Sequence, residues 1–569
     1  MNMTKLSLLF PDQDRITYQM IPEETWHDLG MDTLTAKLTT EPQELAVIRQ
    51  VMRSLTPDPH VAAFRAGVFE DMLRHPEIRK QMADLLLNIQ TFYEFRVIRR
   101  REDDGGIWDL VHRLGEYHDY IVTVEKIREC LKNKDLLSEG FQKLRDTVEE
   151  IYQDNGFAAL KKDVEEMRID ASQMKSLTLG INLNERFEAV NMGLVSVNAK
   201  PFTQSGILKN FLSAVTPKEE VRPEADWDKN YTYYPAVRVP GNPDSLTGAV
   251  EATALLTNPI AMMSLSAVPK TDGASTVTRQ VDTAATMLMT RISKKLRTTL
   301  AKYLNVSVKD IADLIPELTF YTRWAEFIEK SRAEGWTFSR PEVRLEGAGA
   351  SGMEAKGFYN LKLMETEAPE NVVKNDLTFD TEKRVYILTG ANRGGKTTVT
   401  QAVGQLMLLA QCGIYVPAET FRFDPADLVL THFPADEDKT LDLGRLGEEC
   451  RRFRELFGKC TEKSLILLNE TFSTTSFEEG YYIAVDAVKA ILQKGTRTIY
   501  NTHIHKLAKE LDTEINADTA QGKAFSLVAE TKEGKNSFRV RIAPPEGKSF
   551  AREIAVKYGV TYEALVEYS

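Results

Sequence analysis

Residues 390–397 read Gly-Ala-Asn-Arg-Gly-Gly-Lys-Thr, a GxxxxGK[ST] pattern, and the runs on either side fix what surrounds them. VYILT before the pattern is a short, apolar, β-rich stretch that predicts a buried strand. TVTQAVGQLMLLAQ after it predicts an apolar-periodic helix. Phosphate binding needs that order. A glycine-rich turn lets successive backbone N–H groups curl around phosphate oxygens, and the helix N-terminus adds its positive dipole end. In this role Gly390, Ala391, Asn392, Arg393, Gly394, Gly395, Lys396, Thr397 and Thr398 cradle ATP. Lys396 reaches the β- and γ-phosphates, and the Thr397 hydroxyl ligates Mg²⁺. A glycine-rich turn ahead of an ordinary helix is the plain alternative.

Two further strand-like runs support the nucleotide reading. SLILLNETFSTTS carries four apolar residues in a row into Asn469-Glu470, and a buried strand ending in an acid suits the water around Mg²⁺ and the attacking water. TRTIYNTH ends in His503, placed to sense a γ-phosphate, with a surface loop residue as the alternative. His503 and His505 make an HxH pair, but no other His or Cys lies close in sequence, so a metal site there is not expected.

Composition narrows the partners. Among 569 residues, acids exceed bases by 83 to 72, a net charge of −11, so nucleic-acid contact requires a local basic face on an acidic body. Four cysteines without a CxxC spacing (Cys130, Cys412, Cys450 and Cys460) argue against a disulfide scaffold and for a reducing compartment. The opening MNMTKLSLLFPDQD is too short in its apolar run for a signal peptide, and no window approaches the roughly 18 apolar residues of a membrane span. A soluble, cytoplasmic protein with no membrane partner is expected.

The chain changes texture along its length. Residues 1–184 carry helical periodicity broken by Pro57, Pro59 and Pro76, and end in one or two long charged helices, LLSEGFQKLRDTVEEIYQDNGFAALKKDVEEMRIDASQM. Residues 185–275 are richer in Gly, Pro, Ser, Thr and aromatics, with an irregular or strand-like period. Helix returns over 276–345, and strand and helix alternate after 346, which predicts an α/β domain.

TGANRGGKTT is similar to the TGPN-GGK-ST block of the MutS mismatch-repair ATPases, within the ABC class, with Ala391 where proline is usual. GIYVPAE at 413–419 resembles that family's G-YVPA segment. LLNETFSTTSFEEG stands at its DE and Gly/Thr/Ser-rich loop, with Gly480 at the spacing of its following glycine. NTHIHKLAKEL resembles its ATH-x-x-EL, and GKSFAREIAVKYGVTYEALVEY its closing helix–turn–helix. The resemblance is firm over 375–569, weaker in TFYTRWAEFIEKSRAEGWTFSRPEV, and architectural only before 275. It implies a multidomain fold: an all-α core and lever region (1–184 and 276–345) with a partly β, clamp-like insert (185–275). An α/β P-loop ATPase domain (346–540) and a C-terminal helix–turn–helix dimerisation element (541–569) follow. It also implies a homodimer that binds ATP and Mg²⁺ and grips nucleic acid, with Glu470 orienting the attacking water and His503 sensing the γ-phosphate across the dimer interface. Phe358 sits where the family stacks an aromatic ring on adenine, with core packing as its alternative.

Departures shape the functional expectation. Asn469 replaces the Mg²⁺-organising aspartate and carries no charge, which lowers metal affinity. In DLGRLGEEC the family's partner-contacting serine aligns with Gly444, while Glu449 fits its glutamate. The 185–275 insert holds eight basic residues against ten acids, thin support for phosphate affinity. YTYY at 231–234 could stack on bases or pack in a core, and Arg96, Arg99, Arg100 and Arg101 form the densest basic run. No mismatch-reading domain is expected ahead of the core. The expected function is a dimeric, ATP-switched clamp on structured or branched DNA in repair or recombination. A ribosome- or RNA-engaging ATPase and a nucleotide-locked structural dimer with little turnover stay open beside it.

Overall fold

The computed structural model describes residues 6–11, 15–81, 107–172, 176–183, 185, 189–198, 298–299, 314–345, 352–391, 393–434, 444–518, 522–532, 535–545, 556 and 558–567. Asn392, the basic run at 96–101, YTYY at 231–234 and nearly all of the expected clamp insert lie outside these residues. The chain divides into two compact units. One comprises Met1–Asp84, Cys130–Thr147 and Lys309–Ser569, and the other Leu85–Glu129 and Val148–Val308.

Short strands β1 (Gln19–Met20) and β2 (Ser54–Leu55) pair around helices α1 (Glu23–Asp28), α2 (Met31–Thr35) and α3 (Pro42–Arg53). Helix α4 (Pro59–Arg74) follows, started by Asp58, whose carboxylate accepts from His60 N, with Pro59 at its first turn. Next come α5 (Ile107–Leu131), α6 (Glu139–Gln153) and α7 (Asn155–Ser172). The long charged stretch is therefore two helices. They break at Asp154, whose Oδ2 accepts from Phe157 N at 3.2 Å and starts α7. Within the second unit Lys161 pairs with Glu125 at 2.5 Å, and Tyr120 meets Phe157 edge-on. Strands β3 (Ser176–Leu183) and β4 (Ala189–Asn198) form an antiparallel hairpin. It begins ahead of the boundary expected at 185, because SLTLGINL already alternates at the two-residue period of a strand.

The rest of the first unit begins with α8 (Ile315–Ala333) and contains two sheets. The smaller one has the order β5-β9-β6-β7, from β5 (Pro341–Val343), β6 (Met353–Phe358), β7 (Asn375–Phe379) and β9 (Thr420–Phe423). The larger has the order β10-β11-β12-β8-β13-β14. Its strands are β8 (Lys383–Gly390), β10 (Val429–His432), β11 (Leu465–Asn469), β12 (Arg497–Asn501), β13 (Lys523–Lys532) and β14 (Lys535–Ile542). All its pairings are parallel except β13 with β14. Strands β10, β11 and β12 are buried throughout, as strands covered on both faces must be.

Helix α9 (Lys396–Gln411) packs on β11, β12 and α4 and is buried almost all round, which its apolar composition requires. Gln401 and Gln405 on α9 donate to the carbonyls of Asp28 and Leu29 at 2.7 and 2.9 Å. Buried Arg65 of α4 donates to the carbonyl of Gln411 at 3.0 Å. Gly413 lies against the Arg65 backbone with φ +75°, and a Cβ there would fall 2.3 Å from the Arg65 carbonyl carbon, so only glycine fits. Helices α10 (Gly444–Lys459), α11 (Phe477–Lys494), α12 (His505–Lys509) and α13 (Tyr562–Glu567) complete the α-helices among the described residues. The first helix of the expected C-terminal helix–turn–helix lies largely outside the described residues. Among the described residues no helix is long and apolar enough to cross a membrane.

Candidate nucleotide site

The glycine-rich loop joins the carboxyl end of β8 to the amino end of α9, at the centre of the parallel sheet. Two of its glycines are compulsory. Gly390 has φ +141°, and a Cβ would lie 2.8 Å from the side chain of Ala529; at Gly394 it would lie 2.9 Å from the Ala391 carbonyl. Gly395 caps α9 with φ +83°. Arg393 holds a left-handed φ of +62°, and its carbonyl accepts from Asn536 Nδ2 at 3.1 Å. Lys396 folds back over the loop, its Nζ donating to the carbonyls of Gly390 and Ala391 at 3.1 and 3.2 Å. Burial pushes the ammonium pKa below its ordinary value, against the pull of Glu470. The Thr398 carbonyl accepts from Asn360 Nδ2 at 2.8 Å, which ties the start of α9 to the segment after β6.

Strand register brings the other groups to the loop. Asn469 ends β11 opposite Asn501 at the end of β12, and Asn501 is opposite Leu388 on β8. Thr397 Oγ1 donates to Asn469 Oδ1 at 3.1 Å. Asn501 Nδ2 donates to Thr397 Oγ1 at 3.3 Å and also to Asn469 Oδ1. Glu470 adopts φ +53°, an unusual left-handed backbone for a non-glycine residue. Its Oε1 lies 3.0 Å from His503 Nε2, and its Oε2 is buried with no partner among the described residues. Lys396, Thr397, Asn469, Glu470 and His503 therefore meet at neighbouring strand ends. Among the described residues no three of His, Cys, Asp and Glu converge as a metal-binding set. A divalent cation here would rely on Thr397, amide oxygens, water and phosphate, a ligand set that suits Mg²⁺.

Phe358 is 1% exposed, at the end of β6 opposite Asn375. The aromatic ring at the loop is Phe538 on β14, which sequence reasoning missed. It is 49% exposed with φ +57°, and its ring lies 3.4 Å from where a Gly395 Cβ would be. Asn375 holds β14 there, donating to the Phe538 carbonyl at 3.1 Å and accepting from Val540 N at 2.8 Å. No local spacing links residue 538 to residue 395; only the hairpin of β13 and β14 brings them together.

Beside the β11 end, buried His432 contacts Thr471 Oγ1 through Nδ1 at 3.0 Å and the Glu449 carbonyl through Nε2 at 3.3 Å. Burial, aided by the Arg452 charge, lowers its pKa to about 4, so the ring is neutral near pH 7. Glu449 accepts from Thr474 Oγ1 at 2.8 Å, and burial raises its pKa. Gly444 opens α10 with φ +65° and open space around it.

Two family models match the chain: MutS domain V over residues 386–565 and MutS2 N-terminal domain over residues 57–333. The DNA mismatch repair protein MutS of Chlorobium phaeobacteroides is 30% identical over 238 residues, covering 41% of this chain and 26% of that protein. The protein of the same name from Thermotoga sp. (strain RQ2) is 34% identical over 167 residues, 29% of this chain and 20% of that protein. That of Nitratidesulfovibrio vulgaris (strain DP4) is 25% identical over 279 residues, 48% of this chain and 29% of that protein. The chain thus spans less than a third of the length of the curated relatives it matches.

Proposed function

The chain belongs to the MutS family as a divergent member, and we propose that it is an ATP-binding, ATP-hydrolysing dimer that switches its grip on structured or branched DNA. The observation that carries this reading is the meeting of Lys396, Thr397, Asn469, Glu470 and His503 at the ends of β8, β11 and β12. The residues present suit a magnesium nucleotide. Glycines 390 and 394 permit the tight path of the loop beside Ala529 and the Ala391 carbonyl, and among the described residues Glu470 Oε2 and Asn501 Oδ1 are buried acceptors without a donor.

In this reading residues 346–540 form the ATPase domain and 541–569 the dimerisation element. The loop amides and Lys396 hold the phosphates. Mg²⁺, when bound, would neutralise charge at the phosphate oxygens, with the Thr397 hydroxyl as its protein ligand and Asn469 acting only through water. Glu470 accepts a proton from the attacking water, and His503, with Nε2 3.0 Å from its Oε1, fixes the carboxylate and faces the terminal phosphate. Phe538, rather than the buried Phe358, offers a ring face for adenine. Equilibrium ATP binding, phosphate release, and competition between branched DNA and ribosomal RNA test the proposal together. A chain that binds ATP and prefers RNA moves the function to the ribosome. A second reading, a nucleotide-locked dimer with little turnover, is favoured by the neutral Asn469 and by Gly444, which offers no hydroxyl.

A further inference from the structure

The polar triangle of Thr397, Asn469 and Asn501 raises a problem of hydrogen-bond capacity. Asn469 Oδ1 accepts from both Thr397 Oγ1 and Asn501 Nδ2. An amide oxygen has two lone pairs, so both are engaged, and the other polar atom of Asn469 is a donor. An aspartate would offer a second oxygen and a negative charge to the hydration shell of a cation; Asn469 offers neither. An amide at this position also has an orientation to choose, since its nitrogen turned towards a cation would repel it. Asn501 resolves both difficulties. Its Nδ2, by donating to Asn469 Oδ1, fixes that oxygen towards Thr397. Its donation to Thr397 Oγ1 at 3.3 Å leaves one lone pair of the hydroxyl oxygen for a metal ion. Its own Oδ1 is buried and has no partner among the described residues, in a residue only 1% exposed. A native buried acceptor without a donor calls for an explanation such as a water or an ion in the working state.

We propose that Asn501 is a positioning residue for the divalent cation that accompanies the nucleotide. Its amide nitrogen orients Thr397 and Asn469, and its amide oxygen accepts from the cation's water, so that two neutral amides on adjacent strands stand in for one carboxylate. The inference rests on the nucleotide-binding reading above. Its consequence is a cation dependence that is modest in the natural chain and that either amide position can raise. Asn501 and Asn469 face each other directly across β12 and β11, so an acid at either position places charge beside Thr397.

The test is a titration of the full chain with a fluorescent ATP analogue, once in Mg²⁺ and once in EDTA. The readout is the ratio of the two dissociation constants, and a urea midpoint checks each fold. The wild type should show a ratio of a few-fold. Asn501→Ala should bring it close to one while leaving the affinity in EDTA unchanged, and Asn501→Asp should raise it about tenfold. Asn501→Asp keeps the side-chain shape and carries the test alone if the alanine variant unfolds. Ratios equal to wild type in both variants, or an equal loss of affinity in both buffers, overturn the role assigned to Asn501. Absence of nucleotide binding by the wild type in either buffer instead overturns the nucleotide reading itself.

Discussion

His503 Nε2 lies 3.0 Å from Glu470 Oε1, a contact between the ends of two adjacent parallel strands of one chain. The glutamate reaches it from a left-handed backbone that nothing in its side chain favours. That cost suggests a carboxylate held for a purpose. Replacing Glu470 by glutamine keeps the shape and removes the base. Glu470→Gln should therefore retain ATP affinity and lower turnover by about 10²–10⁴-fold, measured as phosphate release beside equilibrium binding. Turnover at the wild-type rate would place the base elsewhere.

Lys396 bonds to two loop carbonyls, of Gly390 and Ala391. Its removal should cost affinity and little stability. A charged hydrogen bond of about 1.5–3 kcal/mol corresponds to roughly a 10- to 150-fold loss. Lys396→Ala should show that loss in ATP binding with the urea midpoint nearly unchanged. Unaltered affinity would remove the loop from nucleotide binding.

The part of the site legible in the sequence is the part in which every local signal agrees. β8, the glycine-rich loop and α9 are contiguous, and the apolar run, glycines and helical period all demand the same chain path. Glu470 and His503 could be read because each ends an apolar run. Asn501 could not, since an amide at a strand end looks like any other polar terminus until register sets it against Asn469. Phe358 carries a related ambiguity: a ring near a strand end reads alike whether it faces a ligand or a core. Phe538 was hidden by chain distance, reaching Gly395 only through β14. The split of the long helix at Asp154 is hard to read in sequence because a single capping carboxylate in a charged run barely disturbs the helical period.

His432 gives a pH dependence with a defined sign. Its pKa is about 4 in the folded chain against 6.5 for an ordinary histidine, so between those limits the unfolded state binds more protons. Stability from this residue is therefore present above pH 6.5 and is lost as pH falls towards 4. The shift is worth about 3 kcal/mol at most. Urea midpoints at pH 7.5 and 5 should diverge in the wild type and converge in part in His432→Gln. An unchanged pH slope in that variant would exclude His432 as the source.

Gly480 sits on α11, where a Cβ would lie 2.6 Å from the Phe472 carbonyl. That oxygen belongs to the backbone turn after Glu470, so it cannot yield without moving the strand end that carries Glu470. Gly480→Ala should cost about 1–3 kcal/mol of stability, read from urea unfolding, and should slow turnover beyond what the stability loss explains. A variant with wild-type stability would mean that the turn relaxes freely.

Nucleic-acid binding gives the widest test. The matched relatives are named for DNA mismatch repair, yet the chain carries a net charge of −11, and its 185–275 segment has eight bases against ten acids. Few phosphate contacts follow, so affinity should be weak at physiological salt. Each contact releases counterions, with a slope of about −0.9 per phosphate neutralised in log–log form. A two-fold dimer can engage two duplex arms at once, and the second arm then binds at high effective concentration. A four-way junction should therefore bind more tightly than linear duplex of equal length, while a single mismatch should change affinity less than about threefold. Fluorescence anisotropy at two salt concentrations, with and without ATP, measures all three quantities. A clear preference for the mismatch would show that this chain reads base pairing directly. No binding to any DNA at low salt would turn the proposal towards RNA or towards a nucleotide-locked dimer.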